Sequence, residues 1–153
     1  MRIQYITITL VMMAALTACN DLENEHPEGI QSVSYGTSFG ECLGYCRKSI
    51  TVTPSEIEFT KQGWDLDGQL PDSSFQQSFT QAEWSALIER IELDKFLALE
   101  PVIGCPDCAD GGAEWIEIVA EEGPYKVTFE YNNAPDAVQP YIDSLRNYME
   151  LFE

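Results

Sequence analysis

Five stretches of the chain alternate apolar and polar residues with period two. Residues 31–35 place Val33 and Tyr35 on one face, 49–53 alternate around Ile50 and Val52, and 56–60 turn Ile57 and Phe59 inward. Residues 114–120 carry Ile116 and Ile118 on one face. Residues 125–131 carry Tyr125, Val127, Phe129 and Tyr131 on one face and Lys126, Thr128 and Glu130 on the other. Each stretch predicts a half-buried strand. Pro54-Ser55 and Glu121-Glu122-Gly123-Pro124 supply turns between neighbours. Two other stretches have the helical period. Thr80-Gln81-Ala82-Glu83 is a capping box, and Trp84, Leu87, Ile88 and Ile91 follow as one apolar stripe that reads as core. Phe96, Leu97 and Leu99 add a short turn before Pro101. A last helix is expected over about 136–152, with Val138, Ile142, Leu145, Met149 and Phe152 in its stripe and Pro140 distorting its start. Residues 61–78 are polar and read as a long loop or ragged hairpin.

Residues 49–99 and 114–152 thus share the order strand, turn, strand, helix, without repeating residue identities. An antiparallel sheet built from two such units, with both helices packed on one face, buries every stripe. The predicted fold is a single α+β domain over residues 30–153.

The first 18 residues follow another pattern. They hold one base, Arg2, no acid, and an apolar run from Ile6 to Leu16. That run is too short to span a membrane and suits a signal-peptide core. It ends in Leu16-Thr17-Ala18-Cys19, which resembles the lipobox of bacterial lipoproteins. The resemblance implies cleavage before Cys19, a diacylglycerol on its thiol and an acyl group on the new amine. Several acyl chains anchor stably, since each buried CH₂ adds about 0.8 kcal/mol. Asn20 rather than aspartate follows, which under enterobacterial sorting rules favours the outer membrane. Residues 19–29, polar and acidic from Asn20 onward, form a flexible tether. This acidic stretch resembles the surface-export signal of some Bacteroidetes lipoproteins. The expected address is the cell envelope, with the membrane reached through the lipid on Cys19.

Charge narrows the function. The chain has 153 residues, of which 26 are acidic and 8 basic, for a net charge of −18. Loss of residues 1–18 removes only Arg2 from that balance. Such a charge repels a phosphate backbone and steers toward a protein with a basic surface, so no nucleic-acid partner is expected. The single histidine, His26, lies in the tether, which removes Ser-His-Asp and Cys-His arrangements and multi-histidine metal sites. There is no phosphate-cradling glycine loop and no H-E-x-x-H. No cofactor and no catalytic residue is legible.

Beyond Cys19 there are four cysteines, Cys42, Cys46, Cys105 and Cys108. In an exported domain they read first as disulfides. Three pairings are open, and the glycine- or proline-containing loops around each pair favour the local ones. Zinc held by four thiolates is a rival that export to an oxidising compartment opposes. Redox exchange through Cys105-Pro106-Asp107-Cys108 is another, but Ala109-Asp110-Gly111-Gly112 is a poor helix start. Asp107, Asp110 and Glu114 are weak calcium candidates that match no EF-hand spacing. Trp64, beside Asp65 and Asp67, is the tryptophan expected to face solvent as a contact site.

The segment Phe39-Gly40-Glu41-Cys42-Leu43-Gly44-Tyr45-Cys46 and the run Gly104-Cys105-Pro106-Asp107-Cys108-Ala109-Asp110-Gly111-Gly112-Ala113-Glu114-Trp115-Ile116-Glu117-Ile118 resemble an uncharacterised family of small Bacteroidetes lipoproteins. The first half is also similar to a broader bacterial domain of unknown function that opens with a cysteine-glycine-cysteine loop and strands. The likeness covers about residues 32–150. It implies address and fold class and carries no activity. The function expected from the sequence is a lipid-anchored binding or interaction module with structural disulfides. The alternative is a thiol–disulfide redox protein using Cys105 and Cys108.

Overall fold

A computed structural model of the chain describes residues 29–63 and 70–153. The signal segment, Cys19, His26 and Trp64 lie outside the described residues, as does the tether up to residue 28. Strand β1 (Ser32–Ser38) is followed by β2 (Tyr45–Val52), β3 (Glu56–Gly63) and β4 (Ser73–Ser78). Helices α1 (Gln81–Ile88) and α2 (Leu93–Leu97) lead to the two-residue strand β5 (Val102–Ile103). A 3₁₀ turn at Cys108–Asp110 precedes β6 (Ala113–Ala120), β7 (Gly123–Glu130) and helix α3 (Gln139–Glu150). The strands form one seven-stranded sheet in the order β4-β3-β2-β1-β6-β7-β5.

The period-two stripes meet across the register. Tyr35 lies opposite Ile50 on one side and Ile116 on the other, Ile50 opposite Phe59, and Ile116 opposite Val127. All are at most 2% exposed. They share one core with Trp84, Leu87 and Ile88 of α1, Phe96 of α2, and Tyr141, Ile142, Leu145 and Met149 of α3. All three helices therefore cover the same face of the sheet, and the domain is of the α+β class.

Four details differ from the sequence reading. The sheet is mixed, because the chain leaving α2 runs parallel to β7, pairing Val102 with Thr128 and Ile103 with Phe129. The polar stretch 61–78 is not all loop: β3 continues to Gly63 and β4 pairs with it in continuous antiparallel register. Helix α3 starts at Gln139, with Val138 as its cap and Pro140 in the first turn. A start at Asp136 would have required a hydrogen bond from the N–H that Pro140 lacks. Helix α1 ends at Ile88, and Ile91 is buried by a tighter turn in which its N–H donates to the Ile88 carbonyl. The Thr80 capping box forms as expected.

The other face of the sheet carries no helix among the described residues. Hydroxyl pairs tie its strands together, Ser34 with Thr51 at 2.9 Å and Ser49 with Thr60 at 2.7 Å. Trp115 lies flat over Gly36, its cross-strand partner, and Lys126 Nζ sits 4.0 Å from the indole centroid. A Cβ on Gly36 would fall 2.5 Å from the Trp115 ring. Gly36→Ala is therefore expected to cost about 1–3 kcal/mol, read by urea unfolding, with a change in tryptophan emission as the ring is displaced. An unchanged midpoint would mean that the ring moves without cost.

Candidate functional site

Both disulfide loops lie at one end of the sheet. The first joins β1 to β2 and is closed by Cys42–Cys46; the second precedes β6 and is closed by Cys105–Cys108. The local pairing is the observed one. Asp107 stitches the loops together, its Oδ1 accepting from the N–H groups of Gly40 and Gly112, each at 3.2 Å. Asp107 itself, Ala109 and Asp110 all have positive φ, a conformation that aspartate tolerates and that costs most at Ala109. Phe39 packs edge-on against Tyr131 at 5.0 Å, over Gly112, where a side chain would collide with the ring.

A cleft of about 300 Å³ opens beside the loops on the helix-covered face, between β1, β2 and the end of α3. Aromatic rings line it, among them Tyr35, Phe39, Tyr45 and Tyr131. Its floor is an ion pair, with Arg146 Nη2 donating to Glu114 Oε2 at 2.7 Å. The Glu114 side chain is 1% exposed. Among the described residues its second oxygen and Arg146 Nε have no hydrogen-bond partner, so the pair is held by one prong of two. Burial lowers the Arg146 pKa, but the hydrogen bonds and charges of Glu114 and Tyr35 outweigh it and keep the guanidinium more firmly protonated than usual. At the rim Lys48 bonds Glu153 at 2.6 Å.

Tyr35, at the same floor, ionises well above its ordinary value of 10.0, first through burial and then through the Glu114 charge; Tyr141 does so through burial. Unfolded tyrosines ionise near pH 10. Because the folded values are raised, the stability from these two groups is intact below about pH 10 and is lost as pH climbs toward the folded values. Phenolate absorbance from Tyr35 and Tyr141 should then rise only together with loss of structure. Their ionisation in the folded protein would contradict this.

The structure does not gather the calcium candidates. Asp107 is engaged by two backbone N–H groups, Asp110 is exposed, and Glu114 turns inward to Arg146. Among the described residues no three His, Cys, Asp or Glu side chains are placed to hold a metal ion. Cys105 and Cys108 are exposed, with only the 3₁₀ turn following. The Cys105 N–H donates to Glu130, whose carboxyl is held below its usual value by Asn133 and then by this contact. A helix N-terminus that would activate a thiol is missing from this loop as described, and the nearby carboxylates oppose a thiolate.

Sequence reasoning missed Arg146 and the structural use of Glu114. One signal was present: Glu114 shares the inward parity of Ile116 and Ile118, and an acid on that face needs a partner. The tip of the Cys42–Cys46 loop was also passed over. Leu43 there is as exposed as in an unfolded chain, at 104%.

No protein-family model matches the chain, and no curated protein matches it.

Proposed function

We propose that this is a lipid-anchored cell-envelope binding module, held on the outer membrane through Cys19, that presents its disulfide-closed end to a protein with a basic surface. The observation that carries this reading is the position of the chain's entry. Gly29 lies beside Glu121, at the end of the sheet where the turns 53–55 and 121–122 also lie. The two disulfide loops and the cleft are at the opposite end, one strand length or about 25 Å away. A tether joined at Gly29 leaves the cleft and Leu43 at the end of the domain farther from the point of attachment. The net charge of −18 supplies long-range attraction to a basic partner, and Leu43 on a closed loop supplies a pre-organised apolar anchor. The resemblance to small Bacteroidetes lipoproteins points to the same address.

Photo-crosslinking from two sites on the membrane-bound protein tests this reading. A photoreactive residue at Leu43 should yield protein adducts, and one at Glu121 should yield lipid adducts or none. Leu43→Asp should remove the protein adduct of a second probe placed at Glu41 without moving the unfolding midpoint. Lipid adducts from Leu43, or equal protein adducts from both ends, would overturn the orientation.

The exposure of Cys105 and Cys108 favours one second reading, thiol–disulfide exchange. Its mark is a reduction potential well above about −300 mV, the level below which structural disulfides lie.

A further inference from the structure

Among the described residues, the outer edge of β4 is bare in a way that natural sheets usually avoid. Edge strands are commonly blunted by lysine, proline, a bulge or an inward charge. Strand β4 reads Ser-Ser-Phe-Gln-Gln-Ser, with no charge and no proline. Its register with β3 runs without a bulge from Glu56↔Ser78 to Lys61↔Ser73. Among the described residues no group pairs with its outer side. Phe75, on the helix-covered face opposite Phe59, remains 48% exposed.

We propose that the edge pairs with the same edge of a second copy of this chain, antiparallel and centred on Phe75. This goes beyond the function proposed above and does not depend on it. A twofold axis perpendicular to the sheet keeps each face on its own side, so residues of like parity must meet. Centring on Phe75 sets Phe75 against Phe75 of the second copy, Ser74 against its Gln76, and Ser73 against its Gln77. The half-exposed ring gains an aromatic cross-strand partner, and the flanking pairs are hydroxyl to amide. Three ionised side chains reach the seam, and its geometry keeps like charges apart or in water. Asp72, next to Ser73, would lie six residues or about 20 Å along the strands from Asp72 of the second copy, beyond a Debye length of about 8 Å at physiological salt. Glu58 accepts from Ser74 Oγ at 2.6 Å on the open face, and Lys61 Nζ stands 5.4 Å from the Phe75 ring centroid on the helix-covered face, both within reach of screening solvent. Five paired residues on each strand make a small interface, of the weak and transient class.

The test is register-specific crosslinking of the full-length chain in intact cells with a mild thiol oxidant. The double variant Ser73→Cys with Gln77→Cys, which keeps the Phe75 ring and sets each new thiol against its counterpart in the second copy, should give at least about tenfold more dimer than Gln77→Cys alone, because two residues at position 77 would be about 13 Å apart along the strands, out of disulfide range. Phe75→Lys, in the purified full-length chain, should keep its circular dichroism and lose the dimer seen by sedimentation at high concentration. Equal crosslinking by the two variants, no crosslinking by either, or a dimer that survives Phe75→Lys would each overturn the proposal.

Discussion

Arg146→Met is expected to lower the unfolding free energy by about 3 kcal/mol, the lower end of what breaking a buried ion pair costs. The loss comes from Glu114 rather than from Arg146. The glutamate side chain is 1% exposed and the arginine 27%. Without the guanidinium, a carboxylate on the apolar face of β6 faces Phe129, its cross-strand neighbour, with the neutral Tyr35 hydroxyl in place of a cation. The lower end applies because water reaches Arg146 in the cleft. Glu114→Leu combined with Arg146→Met should recover most of the loss, since removing both charges also removes the desolvation penalty. Urea unfolding of the two single variants and the double variant gives the coupling directly. Additive losses would mean that the two residues do not act as a pair.

Phe59→Ala is expected to cost about 3–5 kcal/mol through the cavity it leaves. The ring is 1% exposed and stacks on Phe152 at 5.4 Å, with Phe75 tilted at 6.2 Å on its other side. It therefore joins the edge of the sheet to the end of α3. Phe59→Leu should lose markedly less, because most of the volume is kept. A loss below about 1 kcal/mol for the alanine variant would mean that α3 and β4 close over the gap.

The parts of the fold visible in the sequence are those where one side chain in two, or one face of a helix, is deeply buried. Ile50, Val52, Ile57, Phe59, Ile116, Ile118, Val127 and Phe129 fall on the core face as their alternation requires. The capping box at Thr80 placed the start of α1 to the residue. Strand β4 carried no signal because an edge strand needs only one apolar contact, and Phe75 alone provides it. Strand β5, two residues long, is too short for any period to show. The cleft was hidden for a different reason. Its floor joins residues 32 positions apart in the chain, on β6 and α3, and no local spacing encodes that meeting. The cysteines were legible as local pairs from their loops. Their shared end of the domain follows from β1 and β6 being neighbours, a long-range pairing that alternation does not specify.

Non-reducing peptide mapping by mass spectrometry, on protein taken from membranes with thiols trapped at once, reads the anchor and both disulfides in one experiment. The expected product is a chain that begins at an acylated Cys19, with Cys42 joined to Cys46 and Cys105 joined to Cys108. An unmodified Cys19 within an uncut N-terminal segment would contradict the anchored module. Free or mixed Cys105 and Cys108 beside a closed Cys42–Cys46 would contradict a purely structural role for the second disulfide.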